Sequence, residues 1–352
     1  MDFNRLQKEL PVLLLYNIDP SWSAQDIQEC QAATDTLAEA MVDVGHQVEK
    51  ICVQSAELGT LLEGFSPDEY LILNWCEEFP SVPHSEYLVA RVLESLGFTF
   101  TGAGSRALAF GQDKPKVKHL LNTKNITTPM WKVYTSTDQI CWEHFPAIVK
   151  LAYEHCSYGI TRESVVESSP ELENRVQYVI NEMHQPALVE EFIDGREFHV
   201  GVIGNSHITV LPPGEIDYSP FTDIHDRLCT YESNFDPSSL AYQLTVPKLP
   251  VVLAEKLLRK LEEIAASAYK AIDCRDYARM DVRLKGETFY LLDVNPNPDI
   301  SEDTSLVRGA GLLGLSYGEF GSILINLAAQ RHPVYNSLTK TNLQGENKCL
   351  EL

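Results

Sequence analysis

The chain has 352 residues, 44% of them hydrophobic and 22% charged, with a formal net charge of −22. That length accommodates two or three domains with real cores, and that composition excludes a disordered chain. The acidic balance argues against nucleic acid or an anionic membrane surface as partner, but not against a nucleotide, because a few local lysines offset a global field. Cys30, Cys52, Cys76, Cys141, Cys156, Cys229, Cys274 and Cys349 are scattered, with no Cys-x-x-Cys and no zinc spacing. They read as reduced, buried thiols of a cytoplasmic protein. The amino terminus is too polar for a signal peptide, no apolar run reaches membrane-spanning length, and there is no internal repeat.

Val12–Tyr16 reads as a buried strand. Ser23 and Asp26 make a capping-box signature ahead of Ile27, Cys30, Thr34, Leu37, Met41 and Val44, an apolar stripe at helical spacing that stops at Gly45. Strands follow at Val48–Val53 and Tyr70–Asn74, and a helix over Glu86–Leu96 is closed by Gly97. This alternation predicts a parallel sheet flanked by helices, to about residue 105. Asp113 as N-cap and Pro115 in the first turn open a further helix through Asn122, with Lys114 at its start.

Residues 145–150 read as a strand ending in Lys150, and 152–160 as a loop of small residues with one glycine. A lysine at a strand end before such a loop suits the covering of phosphates by backbone amides. Residues 187–200 read as strand, turn, strand. The stretch 212–246 is long and polar and is expected to be a mobile substrate loop, in which His225, Asp226 and Arg227 are surface polar residues. Leu249–Ala271 is expected to be one amphipathic helix. Helices over 306–313 and 317–328 close the domain, and a frayed tail begins near residue 336.

The stretch around residues 278–295 carries the chemistry. Met280, Val282 and Leu284 alternate with Arg279, Asp281 and Arg283, and a second alternating run reaches Asn295. Two strands joined by a turn over 285–287 are predicted. With a three-residue connection, Leu284 pairs with Thr288, Asp281 faces Leu291 and Arg279 faces Asp293. Arg279, Asp281, Asp293 and Asn295 then share one face. Two carboxylates and an amide are hard oxygen donors, suited to Mg²⁺ or Mn²⁺ with a phosphate as co-ligand, or else to a solvated charged face.

Arg-x-Asp, followed by Leu-Leu-Asp-Val-Asn-Pro-x-Pro and a nearby serine, resembles the carboxy-terminal motif of the D-alanine–D-alanine ligases, within the ATP-grasp superfamily. Asp293 stands where that family has Glu. The resemblance implies that Asp281, Asp293 and Asn295 hold the metal, two ions in all, and that Arg279 stabilises the developing oxyanion. It implies that Lys114 and Lys150 bind ATP phosphates. Lys150, Ser157 and Gly159 match the family's phosphate loop, while Leu151, His155 and Cys156 depart from it. In the family's Glu-x-x-x-x-Gly-x-Glu linker, Glu190 corresponds to the residue that meets the adenine amino group. Glu191 to Ile193 correspond to backbone facing the base, and Glu197 to the acceptor of the ribose hydroxyls. Ser305, or Thr304, matches the serine that holds the second carboxylate.

The substrate half departs from the family. The loop whose glutamate holds the first substrate's ammonium is replaced by residues 16–26, and a Gly-Glu-Asp-Gly run by residues 74–81, with Trp22 and Trp75 nearby. The expectation is an α/β protein (α+β overall) with an ATP-grasp fold and an N-terminal parallel-sheet domain. Its parts are residues 1–105, a lid at 106–195, a catalytic part at 196–335 and a tail at 336–352. The expected activity is ADP-forming ligation of a small carboxylate and a small amine (amino acids or similar) through an acyl phosphate, with altered substrates. A phosphotransferase on the same fold and a nucleotide-binding regulator are the alternatives. No nucleic acid or membrane partner is expected, and a homodimer is left open.

Overall fold

The structure, a computed structural model, describes residues 6–154, 157–230, 239 and 247–336. The first sheet is parallel, in the order β2-β1-β3-β4, from β1 (Pro11–Asn17), β2 (Gln47–Val53), β3 (Leu71–Trp75) and β4 (Thr99–Phe100). Helix α1 (Ala24–Asp43) starts at Ser23, whose hydroxyl accepts from Asp26 N while the Asp26 carboxylate accepts from Ser23 N. The reciprocal bonds satisfy two otherwise orphaned amides. Short α2 (Leu58–Leu62) and α3 (Glu86–Ser95) complete the crossovers.

After α4 (Ser105–Gln112) and α5 (Lys114–Thr123) comes an antiparallel sheet, β5-β8-β6-β7. It is built from β5 (Trp131–Tyr134), β6 (Ala147–Leu151), β7 (Val165–Val166) and β8 (Ala187–Glu191), and is backed by α6 (Ser169–Asn181). The third sheet runs β10-β9-β12-β13, with β11 pairing on β9. Its strands are β9 (Arg196–Gly204), β10 (Ile208–Val210), β11 (Gly214–Ile216), β12 (Tyr277–Lys285) and β13 (Thr288–Asn295). Helix α7 (Glu255–Ala271) covers one face through Leu261, Ala265, Ala268 and Tyr269.

The last two helices, α8 (Ser305–Leu312) and α9 (Tyr317–Ala329), share a core with Val12 and Leu14 of β1 and Leu37 and Met41 of α1. The first and third sheets are therefore held against each other. Asp276, fully buried, reinforces the joint. It accepts from Gly102 N (3.0 Å), Asn205 Nδ2 (3.0 Å) and both Arg331 Nη atoms (2.6 and 2.7 Å). Among the described residues no single helix is long and apolar enough to cross a membrane. Only α8 and α9 taken together are, and they bend by 101°.

Four expectations need correction. The β12–β13 connection is a two-residue turn, Gly286 and Glu287, with Lys285 paired to Thr288 and Gly286 at φ +63°. A bulge then skips Leu292, so that Asp281 faces Asp293 and Arg279 faces Asn295. Helix α7 begins at Glu255, not Leu249, because the Val252 carbonyl accepts from Arg196 Nη2 (3.1 Å) and is held outside any helix. Cys141 is exposed, whereas Cys76 and Cys274 are buried and Cys30, Cys52 and Cys229 half-buried. The 212–246 stretch contributes β11, so its first part is sheet. Residues 231–238 and 240–246 lie outside the described residues, as do His155, Cys156, Cys349 and the tail from 337.

Candidate active site

One cleft opens between the central and third sheets. It is lined by Lys114, Lys150, Ser157, Glu190, Glu191, Ile193, Glu197, Asp281 and Asp293, with Leu228, Cys229, Arg283 and Leu292 beside them. Lys114 is the first residue of α5, placed by the Asp113 cap, whose carboxylate accepts from Lys116 N (3.1 Å). Its own amide donates to the Ala152 carbonyl (3.1 Å), and its ammonium pairs with Asp293.

Lys150 comes from β6 and Glu190 from the neighbouring β8. The Glu190 carboxylate is buried between Lys150 Nζ (2.7 Å) and Lys118 Nζ (2.6 Å). Burial alone raises a carboxyl pKa, but the two ammonium groups outweigh it and hold Glu190 at about 2. Burial likewise pulls the Lys150 ammonium down, and Glu190 more than restores it, leaving it above its usual value. For Lys118, only 2% exposed, burial wins and the value falls. Lys118 also donates to Thr128 Oγ1 (2.7 Å) and the Leu292 carbonyl (2.8 Å).

The linker from β8 to β9 passes so close to β12 that a Cβ on Gly195 would sit 2.1 Å from the Leu284 carbonyl oxygen, which only glycine permits. Several groups expected to face a base are engaged. Glu191 N donates to Met130 O and Phe192 N to Pro146 O, both at 2.9 Å, and Ile193 O accepts from Arg283 Nη1 at 2.9 Å. Glu197 is buried and bonded to Arg283 Nε (2.7 Å). Burial raises its pKa, but Arg283 and His199 bring it to about 2.

At the third sheet's centre, Asp281 accepts from Arg279 Nε (2.7 Å) and Nη2 (3.0 Å), and from Asn295 Nδ2 (3.0 Å). Burial raises the Asp281 pKa, and Arg279 and His199 outweigh it, so the carboxyl is held below its usual value. Arg279 and Asn295 thus reach the site through Asp281. Gly159 stays in the loop above, its carbonyl held by Arg175 Nη2 (2.7 Å). Ser305 does not line the cleft. It is buried at the start of α8, where a Cβ on Gly214 would lie 2.9 Å from its own.

Among the described residues no group of three or more His, Cys, Asp and Glu side chains is arranged to hold a metal ion. The two facing carboxylates and the Asn295 amide are a hard-oxygen set that fits Mg²⁺ or Mn²⁺ if phosphate oxygens and water complete the shell.

Sequence reading missed Lys118, Arg283 and His199. Each had a local signal. Lys118 lies four residues after Lys114 on one helix face. Arg283 and His199 follow Asp281 and Glu197 by two, on one strand face.

Residues 120–326, more than half of the chain, match the family described as D-ala D-ala ligase C-terminus. An uncharacterized protein, y4sG, of Sinorhizobium fredii is 30% identical over 85% of this chain and 88% of its own length. The D-alanine–D-alanine ligase of Aquifex aeolicus is 27% identical over 82% and 92%. Two crystal structures of D-alanine–D-alanine ligase from Bacillus anthracis share the fold. One has a TM-score of 0.71 at 19% identity and the other, complexed with ATP, 0.69 at 18%; each covers 92% of this chain and 98% of that one. The chain belongs to the D-alanine–D-alanine ligase family, within the ATP-grasp superfamily.

Proposed function

We propose that this protein is an ATP-dependent, ADP-forming ligase that joins a small carboxylate to a small amine through an acyl phosphate, with substrates other than a pair of D-alanines. The observation that carries it is the set of paired charges along one cleft, Lys114 with Asp293 and Lys150 with Glu190 and Lys118. In this reading residues 1–105, 106–195 and 196–335 are the N-terminal, lid and catalytic parts. ATP lies between the two antiparallel sheets, in the cytoplasm, where it is supplied.

Carboxylate is a poor electrophile, so the substrate oxygen first attacks the γ-phosphorus and ADP leaves. The amine then attacks the acyl carbon, the C–O bond to phosphate breaks, the nitrogen gives up a proton, and hydrogen phosphate carries that proton away as the amide forms. Lys114 and Lys150 place positive charge at the phosphates, which is where this reaction develops negative charge. Ser157 and Gly159 cover them with the loop. As the family resemblance implies, Glu190 and the 191–193 backbone meet the adenine, through atoms other than Glu191 N, Phe192 N and Ile193 O, which bond within the chain, and Glu197 accepts from the ribose. Asp281, Asp293 and Asn295 would hold Mg²⁺ or Mn²⁺, two ions as the family resemblance implies. Bound there, the ions supply charge that neutralises the phosphates. Arg279, once its pairing with Asp281 is exchanged, would turn to the oxyanion. Ser305 would hold the second carboxylate only if the segment before α8 shifts.

The acyl donor is proposed to differ from D-alanine because its ammonium has lost the family's glutamate. Asp19, the nearest acid in the replacement loop, is already used: it accepts from Ser21 N (2.8 Å) and Ser81 N (2.5 Å). Asp26 belongs to the α1 capping box. The test is phosphate release across a panel of amino acids, singly and in pairs, with mass spectrometry of the products. Free phosphate with a new amide is expected. A stable phosphorylated product would assign a phosphotransferase instead.

A further inference from the structure

Arg283 lies two residues beyond Asp281 on β12 and is only 4% exposed. Its guanidinium bonds three separate segments. Nε donates to Glu197 Oε2 on β9 (2.7 Å), Nη1 to the Ile193 carbonyl in the β8–β9 linker (2.9 Å), and Nη2 to the Arg227 carbonyl. The same group lies over the rings of Phe192 (4.6 Å) and Tyr218 (5.4 Å).

The first two segments line the cleft through Glu197 and Ile193, and the third, residues 217–230, adds Leu228 and Cys229 to the same lining. Leu228 packs there with Ile148, Val165 and Phe192. The outer side of that segment is tied by exposed pairs, Arg227 to Asp194 (3.0 Å) and Arg162 to Asp223 (2.7 Å). Exposed pairs of this kind contribute little. Arg283 is the buried tie. A planar group with five donors can serve a carboxylate and two carbonyls at once, whereas lysine directs a single point of charge.

We infer that Arg283 is a positioning residue that couples nucleotide binding in the cleft to closure of the 217–230 segment, an inference that rests on the nucleotide reading of the cleft. Ordering Glu197 and the Ile193 backbone against a nucleotide fixes the guanidinium. The fixed guanidinium holds the Arg227 carbonyl, and with it the adjoining Leu228 and Cys229 against the cleft. The closed segment keeps water from the acyl phosphate. Without it, water attacks the acyl carbon, the C–O bond to phosphate breaks, and carboxylate, inorganic phosphate and a proton are released with no amide formed.

The test compares the wild-type chain with Arg283→Lys, which keeps a cation beside Glu197, and Arg283→Met. The double variant Glu197→Gln/Arg283→Met removes both buried charges if Arg283→Met alone does not fold. Hydrogen exchange over 217–230 is measured with and without saturating ADP, and phosphate released is compared with amide formed. ADP is expected to slow exchange about tenfold in the wild type and little in the variants, within the usual span of coupling between sites. The phosphate-to-amide ratio should rise from near one to several. ADP binding with equal protection and an unchanged ratio in the variants would overturn this inference alone. No ADP binding by the wild type, read by thermal shift, would overturn the nucleotide reading and this inference with it.

Discussion

Asp281 and Asp293 stand directly opposite each other across the β12–β13 ladder, and each is neutralised by a different cation, Arg279 for one and Lys114 for the other. Two facing carboxylates would repel strongly without such partners. Each carboxylate is thus paired with one of the chain's own cations. Binding an ion and a phosphate would exchange these partners, which gives each residue a distinct expected phenotype.

Asp293→Asn should lower turnover by about 10³-fold, the scale of losing a main electrostatic element. It removes the charge that Lys114 and the proposed ions share, and an amide binds Mg²⁺ more weakly than a carboxylate. Steady-state phosphate release checks it. Activity within tenfold of wild type would remove Asp293 from the metal set.

Lys150 and Lys118 flank the same carboxylate but should behave differently. Lys150 is partly exposed to the cleft, so Lys150→Ala should raise the ATP KM and lower kcat while Glu190 keeps Lys118 as partner. Lys118→Ala takes a cation from the buried Glu190 carboxylate and removes the bond to the Leu292 carbonyl, and should destabilise the fold by about 3 kcal/mol. Melting curves and kinetics of both variants separate the two roles. Equal losses of stability would show that Lys150 is structural as well.

Glu86 should make stability depend on pH. Burial pushes its pKa up to about 8, against the Asn297 amide that donates to it at 2.9 Å. An acid raised in the folded state favours folding while protonated, so this contribution is intact below the usual 4.5 and is lost as pH climbs through about 8. Glu86→Gln keeps the acceptor for Asn297 and stays neutral. Its stability relative to wild type should rise between pH 5 and 9 by on the order of 1 kcal/mol, a figure reduced because Glu86 is only half-buried. A difference that stays flat over that range, measured by denaturant titration, would contradict this.

D-alanine pairs should give little phosphate, and a larger or amino-free acid more. An unpaired buried ammonium costs several kcal/mol, and both acids of the 16–26 loop are committed to backbone amides. Trp75, at the end of β3 in the first sheet, packs on the core and donates its indole N–H to Asp299 (3.2 Å). Were D-alanyl-D-alanine the fastest-forming product in the panel, the altered-donor proposal would be wrong.

Local features are legible in the order of the residues. The α1 cap involves residues three apart, the Asp113 cap likewise, and strand alternation repeats every two, so each is decided by neighbours in the chain. The family motifs are legible for the same reason: Arg279 to Asn295 and Glu190 to Glu197 are short, contiguous patterns. Which groups meet across long separations is decided only by the tertiary structure. Lys114 finds Asp293 across 179 residues, and Arg283 finds Glu197 across 86. The facing of Asp281 and Asp293 depends on a single bulge at Leu292, and one residue of register exchanges every partner on that face. Periodicity and capping are energies of adjacent turns and pleats; register and buried ion pairs are energies of packed sheets, and exist only once the distant segments have come together.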